Sequence, residues 1–272
     1  MPDSPGRDLV GPCIIIPARF ASTRFPGKPL FRLAGSGGVQ RSLIEWTWRA
    51  AQAVTGAGQV VVATDDRRIV EEVERFGGQA VMTPGDCANG TERCAAAIAD
   101  MAAVPDLVIN FQGDAPLTPP DIVAAVIDRM RAEPDLPVAT PAIPCRGETY
   151  AHLVADRAAG RVGGTTVVFN RRRHALYFSK NIIPFVPPDA LVDDAVHLLL
   201  GIYAYRRDAL AAYRAAPASP LETLEGLEQL RFLDLGMQVG IVVCEPPDGP
   251  TIELNNPTDV VLVEHELHRR RL

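Results

Sequence analysis

Positive charge and long apolar runs are both scarce in this sequence. The 272 residues include 27 Lys and Arg against 33 Asp and Glu, so the net charge is −6, and only 22% of the residues are charged. A surface of this kind does not attract nucleic acid or an anionic membrane as a whole. No run of 18 uncharged apolar residues occurs, and the first twelve residues lack the apolar core of a signal peptide. We therefore expect a protein without nucleic-acid or membrane partners, in which any anion site is local.

Cysteine is also sparse and scattered. The five cysteines form no CxxC pair and have no histidine at metal-ligand spacing, which argues against the usual zinc motifs and disulfide frameworks. Neither the cysteines nor the five histidines form a recognisable Cys/His or Ser/His arrangement for covalent catalysis. We expect reduced thiols, a cytoplasmic location and no obligatory covalent nucleophile.

Two glycine-rich phosphate motifs are missing as well. A Walker A loop requires GxxxxGK followed by Ser or Thr, but Pro29 follows Lys28. A dinucleotide fingerprint would place GxGxxG after the first strand, and the residues found there, ARFAST, include no glycine. The sequence therefore argues against a P-loop NTPase and against an oxidoreductase built on that fingerprint.

What the sequence does contain is an alternation of short Val- and Ile-rich runs with longer helical patterns. This alternation is typical of βαβ units and a mainly parallel sheet. We predict one α/β nucleotide-binding domain over residues 1–272, with an inserted oligomerisation or lid lobe at about 145–205. The predicted strands are 13–17, 60–64, 80–82, 107–111, 138–142, 162–170, 175–179, 198–206 and 239–245. The predicted helices are 41–54, 67–76, 91–101, 120–132, 221–235 and one that begins near 257.

Three cations follow the first predicted strand, in the segment ARFASTRFPGKPL. Arg19, Arg24 and Lys28 are spaced through a part of the chain that Gly and Pro stiffen. Ligands of open parallel sheets bind beyond the carboxyl ends of the strands, where this segment lies. The cations and nearby backbone N–H groups suit a triphosphate. For this segment alone, a surface loop with solvated cations is the alternative.

A second polar segment, QGDAPLTPPDIV, follows the predicted strand 107–111. A carboxylate at Asp114 would lie at the same sheet edge as the cations, where it could anchor Mg²⁺ beside phosphate oxygens. The alternative is that Gly113 and Asp114 only form the turn into the next helix, with Asp114 as a cap. Asp114 is the leading candidate metal ligand, and Mg²⁺ is the expected cofactor.

Seven segments occur in an order that carries a family resemblance across nearly the whole chain. They are IIIPARFASTRFPGKPL, VVATDDRRIVEEVERFGG, MTPGDCANGTERCAAA, VINFQGDAPLTPP, ALYFSK, LGIYAYRRDAL and LETLEGLEQLRFLDLG. Together they resemble the 3-deoxy-manno-octulosonate (KDO) cytidylyltransferases, also called CMP-KDO synthetases, which transfer CMP from CTP to a sugar acid. The resemblance implies a Rossmann-like nucleotidyltransferase fold, an α/β/α sandwich with a mainly parallel sheet. It also implies a homodimer formed through the inserted lobe.

The same resemblance implies which residues bind each ligand. It places CTP at Ala18, Arg19, Ser22, Arg24, Lys28, Asn89, Gly90 and Thr91. It places the acceptor at Gln112, Lys180, Tyr203, Glu228 and Gln229. It places Mg²⁺ at Asp114 and at position 255, and it makes Arg19, Lys28 and Asp114 the candidate catalytic residues.

The implied reaction is an in-line attack of an acceptor oxygen on the α-phosphorus of CTP, with pyrophosphate as the leaving group. Mg²⁺ on Asp114 and the cations of Arg19 and Lys28 would disperse the developing charge. His197 precedes the segment LLLGIYAY and could touch the acceptor, although core packing or solvent exposure is the default. The leucines of the predicted helix 221–235 indicate a core face.

The chain departs from the usual family pattern at four positions. The usual QGDEP reads QGDAP, with Ala115, and a VDTPEDL-like segment whose first Asp is the second metal carboxylate reads LNNPTDV, with Asn255. The usual YFSR ends in Lys180, and a usual lysine of the preceding strand is Thr166. Arg and Lys bind carboxylates differently, since only Arg offers a bidentate fork. An amide oxygen at Asn255 can still bind Mg²⁺, but without charge.

Two missing carboxyl groups lower the repulsion against an anionic acceptor, which favours an acceptor that carries more negative charge. We therefore predict a small phosphonate, such as phosphonoformate, as the acceptor. KDO or another 2-keto-3-deoxy sugar acid, with changed metal ligands, is the alternative. A non-catalytic CTP-binding module is the alternative from another class. The lost metal carboxylate favours it, whereas the cation segment and Asp114 argue against it.

Overall fold

The computed structural model describes residues 11–22, 24–99, 101, 105–187, 194–249 and 251–272. Contacts between Cα atoms divide the chain into unit 1, Met1–Ile127 with Pro247–Leu272, and unit 2, Asp128–Pro246. The predicted single domain with an inserted lobe at about 145–205 stays a prediction. Four parts of the sequence predictions lie outside the described residues: positions 1–10 of the N-terminal segment, Thr23 of the cation segment, position 100 of the predicted helix 91–101, and positions 188–193 of the lobe.

Strands and helices alternate through the described part of the chain. The strands are β1 (Cys13–Ala18), β2 (Arg32–Ala34), β3 (Gln40–Ser42), β4 (Gln59–Thr64), β5 (Gln79–Met82), β6 (Leu107–Phe111), β7 (Val138–Pro144), β8 (Thr166–Phe169), β9 (Ala175–Ser179), β10 (His197–Leu199), β11 (Ile202–Arg206) and β12 (Val239–Val243). The helices are α1 (Leu43–Gln52), α2 (Arg67–Arg75), α3 (Gly90–Ala99), α4 (Pro120–Ala132), α5 (Gly147–Ala158), α6 (Arg207–Ala215), α7 (Pro220–Glu225), α8 (Leu230–Asp234) and α9 (Val260–Arg269). No described helix is both long enough and apolar enough to cross a membrane.

Unit 1 is built on a parallel sheet in which β5, β4, β1 and β6 lie side by side. Ile15 of β1 pairs with Val61 on one side and Asn110 on the other. Ile14, Ile15 and Ile16 are fully buried, as the continuous apolar run of an inner parallel strand requires. The structure confirms the α/β class with a mainly parallel sheet. It also confirms, within one residue at each end, the predicted strands 13–17, 60–64, 80–82 and 107–111.

A second apolar cluster of unit 1 fixes the chain segment that follows unit 2. Leu254 is fully buried there, together with residues of the β2–β3 hairpin, α1 and α9. Because Leu254 points into this cluster, the residues on either side of it are directed elsewhere. This anchor determines the position of Asn255.

In unit 2, β7 is the central strand of the sheet. β10 and β11 run antiparallel along one edge of β7, and β12 runs parallel along the other. β8 and β9 continue the sheet beyond β10. The predicted strand 162–170 is shorter than expected and forms only β8.

The predicted single strand 198–206 is wrong, because the chain breaks between β10 and β11. Ile202 donates its N–H to the carbonyl of Leu200 at 2.7 Å, which closes a tight turn instead of continuing the ladder. The hydroxyl of Thr140 donates to the carbonyl of Ile202 at 2.7 Å. This carbonyl therefore has a hydrogen-bond donor although the turn interrupts the ladder. A side chain of the neighbouring strand therefore holds the interruption in place.

The predicted helix 221–235 is also wrong, because Gly226 ends it with a left-handed backbone (φ 60°). The result is two short helices, α7 and α8, and not one amphipathic helix. Leu221 and Leu224 are exposed, whereas Leu227 and Leu230 are buried. The leucine spacing therefore predicted a core face for only the second half of the segment.

Candidate active site

A polar cavity of about 360 Å³ lies in unit 1 where β1 and β6 end and α3 begins. Three segments form its wall: the residues after β1, the residues that enter α3, and the residues after β6. Asn255 closes one side. The lining residues are Pro17, Ala18, Arg19, Ser22, Arg24, Lys28, Pro29, Cys87, Ala88, Asn89, Gly90, Arg93, Gln112, Gly113, Asp114 and Asn255.

The segment after β1 folds back on itself and presents Lys28 to the cavity. Gly27 donates its N–H to the carbonyl of Phe20 at 3.0 Å and has φ 71°, a left-handed value that glycine adopts without strain. A Cβ at Gly27 would also lie 3.1 Å from the ring of Phe20. The guanidinium of Arg68 covers that ring at 3.4 Å from its centroid. Glycine and the covered ring together set the start of the 3-10 helix that carries Lys28.

An ion pair between Lys28 and Asp114 occupies the centre of the cavity wall. Lys28 Nζ lies 2.6 Å from Asp114 Oδ2, and the two side chains are only 13% and 24% exposed. Gly113, the residue before Asp114, packs directly against the end of β1. A Cβ at this position would lie only 2.5 Å from the carbonyl oxygen of Pro17. Only glycine allows the ends of β1 and β6 to approach so closely. The structure therefore brings together the cation segment and the carboxylate that the sequence predicted for one sheet edge.

Asn255 lies beside this pair and makes two hydrogen bonds with its amide. Arg24 Nη2 donates to Asn255 Oδ1 at 3.1 Å, and Asn255 Nδ2 donates to Glu253 Oε2 at 3.2 Å. The backbone N–H of Leu254 donates to the carbonyl of Asp114 at 2.8 Å, so the 253–255 segment is tied directly to the residue that carries the carboxylate. Asn255 thus links a cation and a carboxylate at the cavity edge.

Glu253 is the acidic residue that the sequence interpretation missed. Glu253 keeps contact with solvent. Even so, desolvation by the surrounding protein raises the pKa of its carboxyl group above the usual range, and the negative charge of Asp114 raises this pKa further. The hydrogen bond from Asn255 and the nearby cations act in the opposite direction. The available signal was the alternation of apolar and polar residues around Leu254. In an extended segment residues two apart share a face, so Glu253 and Asn255 could be expected on the same side.

The first turn of α3 forms another part of the cavity wall. Asn89 Oδ1 accepts the backbone N–H of Glu92 at 2.9 Å, and Glu92 Oε2 accepts the N–H of Ala88 at 2.9 Å. These bonds fix the helix start, whose partial positive charge favours an anion. Gly90 lies on the cavity wall, whereas Thr91 is fully buried in α3 and is not among the lining residues.

Arg93 is a second residue that the sequence interpretation did not name. It is buried, and its guanidinium donates to Thr83 Oγ1 at 2.6 Å and to Asp65 Oδ2 at 2.9 Å. These partners follow β5 and β4, so Arg93 ties the start of α3 to the same sheet edge. The available signal was a charged residue directly before the apolar segment CAAAIA of the predicted helix.

Four of the five predicted acceptor residues lie in unit 2, and Gln112 lies on the cavity wall of unit 1. Lys180 is exposed just after β9. Tyr203 is buried in β11 and stacks with Tyr205 at 6.0 Å between ring centroids. Glu228 is half-buried. Gln229 is 2% exposed, and its amide nitrogen has no hydrogen-bond partner in the described structure.

Two other residues of the same motif are structural. Arg231 donates to both carboxylate oxygens of Glu222 at 2.6 Å, and both side chains are buried. Tyr213 donates its hydroxyl to Glu222 at 3.2 Å, and its ring lies under the Arg231 guanidinium. This buried pair joins α7 to α8 across Gly226. The segment LETLEGLEQLR therefore combines a structural ion pair with the two predicted acceptor residues.

Burial makes Cys13, Cys145 and His197 poor candidates for covalent catalysis. Burial raises the pKa of Cys13 to about 12 and that of Cys145 to about 11, so both stay protonated near neutral pH. His197 is buried against Phe169, with the two rings 4.8 Å apart. Burial, as the largest cause, lowers the pKa of His197. The structure thus gives His197 the core position that the sequence analysis took as the default.

Cations, a helix N-terminus and one carboxylate make the cavity suitable for a polyphosphate. Among the described residues, no group of three or more His, Cys, Asp and Glu could hold a metal ion by itself. Mg²⁺ needs no such group, since it binds through one or two carboxylates together with substrate phosphates and water. The oxygens of Asp114, Asn255 and Glu253 fit this mode of binding.

Comparisons with known proteins agree with this geometry. The family described as Cytidylyltransferase matches residues 13–239. The 3-deoxy-manno-octulosonate cytidylyltransferase of Maricaulis maris is 47% identical over 251 residues, which are 92% of this chain and 94% of that protein. The enzyme of the same name from Escherichia coli is 40% identical over 227 residues, 83% of this chain and 85% of that protein.

A solved structure extends the agreement to the fold. It is a CMP:2-keto-3-deoxy-manno-octonic acid synthetase complexed with CTP, and it superposes with a TM-score of 0.82 at 34% identity. The match covers 97% of this chain and all of that one. This chain therefore belongs to the cytidylyltransferase family, in the group of the 3-deoxy-manno-octulosonate cytidylyltransferases, and is a nucleotidyltransferase that uses CTP.

Proposed function

We propose that this enzyme transfers CMP from CTP to KDO or a closely related 2-keto-3-deoxy sugar acid, with release of pyrophosphate. Relatives that carry the KDO name match most of the chain, at 47% identity for the nearer of the two described above. They give no support to the small phosphonate that the sequence analysis favoured, and they support its alternative. The proposed acceptor is therefore the sugar acid.

One of the two premises of the phosphonate prediction, the loss of charge at position 255, also loses its support. That prediction assumed that replacing an Asp by Asn255 removes a negative charge from the metal site. Glu253 Oε2 lies 3.2 Å from Asn255 Nδ2, so a carboxylate is present one side chain away. Glu253 can therefore supply the charge that Asn255 lacks, whereas the change at Ala115 stands as a separate departure.

The observation that carries the proposal is the Lys28–Asp114 pair in the cavity. In this pair a cation that can bind phosphate already contacts the carboxylate that can bind Mg²⁺. Arg19 and Arg24 add two positive charges on the same wall, and the α3 N-terminus adds its dipole. Such a preorganised set of positive groups stabilises the charge that builds up on a leaving pyrophosphate.

The chain's own residues would hold Mg²⁺ at Asp114, with Asn255 and Glu253 beside it. When bound, Mg²⁺ supplies Lewis-acid stabilisation of phosphate oxygens. Lys28 keeps the Asp114 carboxylate in place before CTP arrives and can turn to a phosphate oxygen once the carboxylate has another partner. Arg24 holds the Asn255 amide and so keeps the 253–255 segment in position.

On the acceptor side, the buried amide of Gln229 supports a ligand. Leaving a buried donor without a partner costs about 1–3 kcal/mol, and a hydroxyl or carboxylate oxygen of a sugar acid can accept from it. Lys180 supplies a positive charge that suits the carboxylate of such an acceptor. Tyr203, another predicted acceptor residue, is held by its stacking with Tyr205.

The test is CTP-dependent pyrophosphate release with Mg²⁺ and either KDO or phosphonoformate, with the nucleotide product identified by mass spectrometry. We expect CMP-KDO and no phosphonate adduct. The Asp114→Asn variant is the matched loss-of-function control, because it keeps the shape of the side chain and removes its charge. A CMP-phosphonate product would overturn the proposed acceptor, and no pyrophosphate with either acceptor would overturn both. The homodimer and the cytoplasmic location stay predictions, and sedimentation equilibrium would test the homodimer.

A further inference from the structure

The short segment that carries Lys180 is held from both sides by side chains of unit 2. Before Lys180, Glu225 accepts the hydroxyl of Ser179 at 2.8 Å and the backbone N–H of Lys180 at 3.0 Å. Ser179 is 2% exposed, so the first of these bonds is shielded from water. A carboxylate that accepts a backbone N–H and a buried hydroxyl forms strong, charge-assisted hydrogen bonds.

After Lys180, a second side chain fixes the backbone. The hydroxyl of Thr166, on the fully buried first residue of β8, donates to the carbonyl of Asn181 at 2.6 Å and accepts the N–H of Ile183 at 3.2 Å. Asn181 in turn donates its N–H to Ser179 Oγ at 3.0 Å. The backbone on either side of Lys180 is thus tied by both Glu225 and Thr166.

The Lys180 side chain is directed by the end of α7. A Cβ on Gly226 would lie 2.8 Å from Lys180 Nζ, so the ammonium rests against a residue that has no side chain. The Glu225 carboxylate already accepts hydrogen bonds from the Ser179 hydroxyl and from the backbone N–H of Lys180. In the part of the chain that the structure describes, the Lys180 ammonium has no ion-pair partner. The charge is available while the backbone that carries it is fixed.

We propose that Glu225 and Thr166 are positioning residues that set Lys180 to bind the carboxylate of the acceptor. A lysine is a point charge on a flexible four-carbon stem, and it lacks the planar fork with which arginine sets its own geometry. The position of the Lys180 ammonium therefore depends on how well the backbone that carries this side chain is fixed. The two departures from the family pattern, Lys180 and Thr166, are then parts of one arrangement. This inference rests on the proposed function, because it requires an acceptor with a carboxylate.

Four single variants test the inference in the full-length enzyme. Glu225→Ala and Thr166→Val remove the two anchors, and the second of these keeps the side-chain shape. Thr166→Ser keeps the hydroxyl and should stay within twofold of the wild type. Leu224→Ala is the control on the same helix, since Leu224 is 84% exposed. We expect the first two to raise the KM for KDO about 10- to 100-fold, the range typical of a misplaced binding group, with the KM for CTP unchanged.

The decisive measurement repeats both anchor substitutions in a Lys180→Met background. If the anchors act through Lys180, each should then change the KM for the acceptor by less than twofold. Full, additive effects in that background would overturn the proposal, and so would equal effects on the KM for CTP. Thermal unfolding identifies a variant that fails to fold, in which case Glu225→Gln, which retains an acceptor oxygen, is measured instead.

The same experiment separates this inference from the proposed function. Wild-type enzyme that forms CMP-KDO while the anchor variants behave normally contradicts only the positioning role. Wild-type enzyme that uses phosphonoformate and not KDO contradicts the proposed acceptor. The variants are then measured with phosphonoformate, whose carboxylate subjects the positioning role to the same KM test.

Discussion

Replacing Asn255 by Asp tests whether Glu253 is the second carboxylate of the proposed Mg²⁺ site. In the structure the Asn255 amide accepts from Arg24 and donates to Glu253. An Asp at this position keeps the first bond and strengthens it with a charge. It loses the second, because a carboxylate cannot donate a hydrogen bond to another carboxylate.

The size of the effect follows from the distance. Two carboxylates at the 3.2 Å that now separates Asn255 Nδ2 from Glu253 Oε2 would repel by about 5 kcal/mol at an effective dielectric of about 20. Glu253 keeps contact with solvent and Arg24 is close, so screening leaves a loss of about 1–2 kcal/mol. For a chain of this size that corresponds to a fall of about 2–4 °C in the unfolding midpoint.

Mg²⁺ should reverse the sign of this effect. A divalent cation between two carboxylates is attracted by both, so Asn255→Asp should bind the metal more tightly than the wild type, by about tenfold or more. Glu253→Gln should bind it more weakly. The double variant, Glu253→Gln with Asn255→Asp, exchanges the two groups and should return close to the wild-type affinity.

The assay combines thermal unfolding, with and without Mg²⁺, and titration of Mn²⁺ followed by electron paramagnetic resonance in the presence of CTP. Glu74→Gln, at an exposed position of α2, is the matched control for the loss of one carboxylate. The reasoning is refuted if Asn255→Asp unfolds at the wild-type temperature without metal and binds Mn²⁺ with wild-type affinity. It is also refuted if Glu253→Gln has no effect on metal binding.

Three further predictions concern CTP binding and stability. Lys28→Met leaves Asp114 without its cation and removes a phosphate ligand, so CTP affinity measured by calorimetry should fall by about 2–3 kcal/mol; an unchanged affinity would contradict the site. Arg231→Met leaves the buried Glu222 carboxylate uncompensated and should lower the free energy of unfolding in urea by about 3–5 kcal/mol. Because burial lowers the pKa of His197 from its ordinary 6.5, the unfolded chain binds more protons, and stability should fall as the pH drops below that value. His197→Phe should remove this part of the acid dependence in urea titrations at pH 7.5 and 5.5, and an unaltered dependence would contradict it.

The sequence predicted the parallel sheet of unit 1 well because each of its inner strands is buried on both faces. Such strands contain short runs of Val and Ile, which are typical of a strand inside a parallel sheet. The cation segment and Asp114 could be placed at one edge for the same reason, since the carboxyl ends of parallel strands meet there. The Lys28–Asp114 contact follows from topology and from the close approach at Gly113.

The errors of prediction lie where a tertiary contact overrides a local pattern. Leucines at every third position favoured one helix over 221–235, but the backbone turns at Gly226 because Glu222 and Arg231 form a buried pair across the turn. The break at Leu200 depends in the same way on a hydroxyl from Thr140 of another strand. Thr140 is 62 positions from Ile202. Glu222 and Arg231 are nine positions apart, a spacing that would place them on opposite sides of one continuous helix, so the leucine periodicity does not predict either contact.

The preference for a phosphonate acceptor, which the relatives do not support, rested on reasoning of the same kind. A motif compares residues position by position, so the change from Asp to Asn255 was counted as a lost charge. Physical chemistry depends on where charges lie in space, and the buried Leu254 directs Glu253 and Asn255 to one side of the segment. Asn255 is compatible with Glu253 because an amide can donate to a carboxylate, whereas a second carboxylate at that distance would be repelled. Ala115 is a separate change, but Glu253 can carry the negative charge two positions before Asn255. The residue at position 255 therefore no longer argues for a more anionic acceptor.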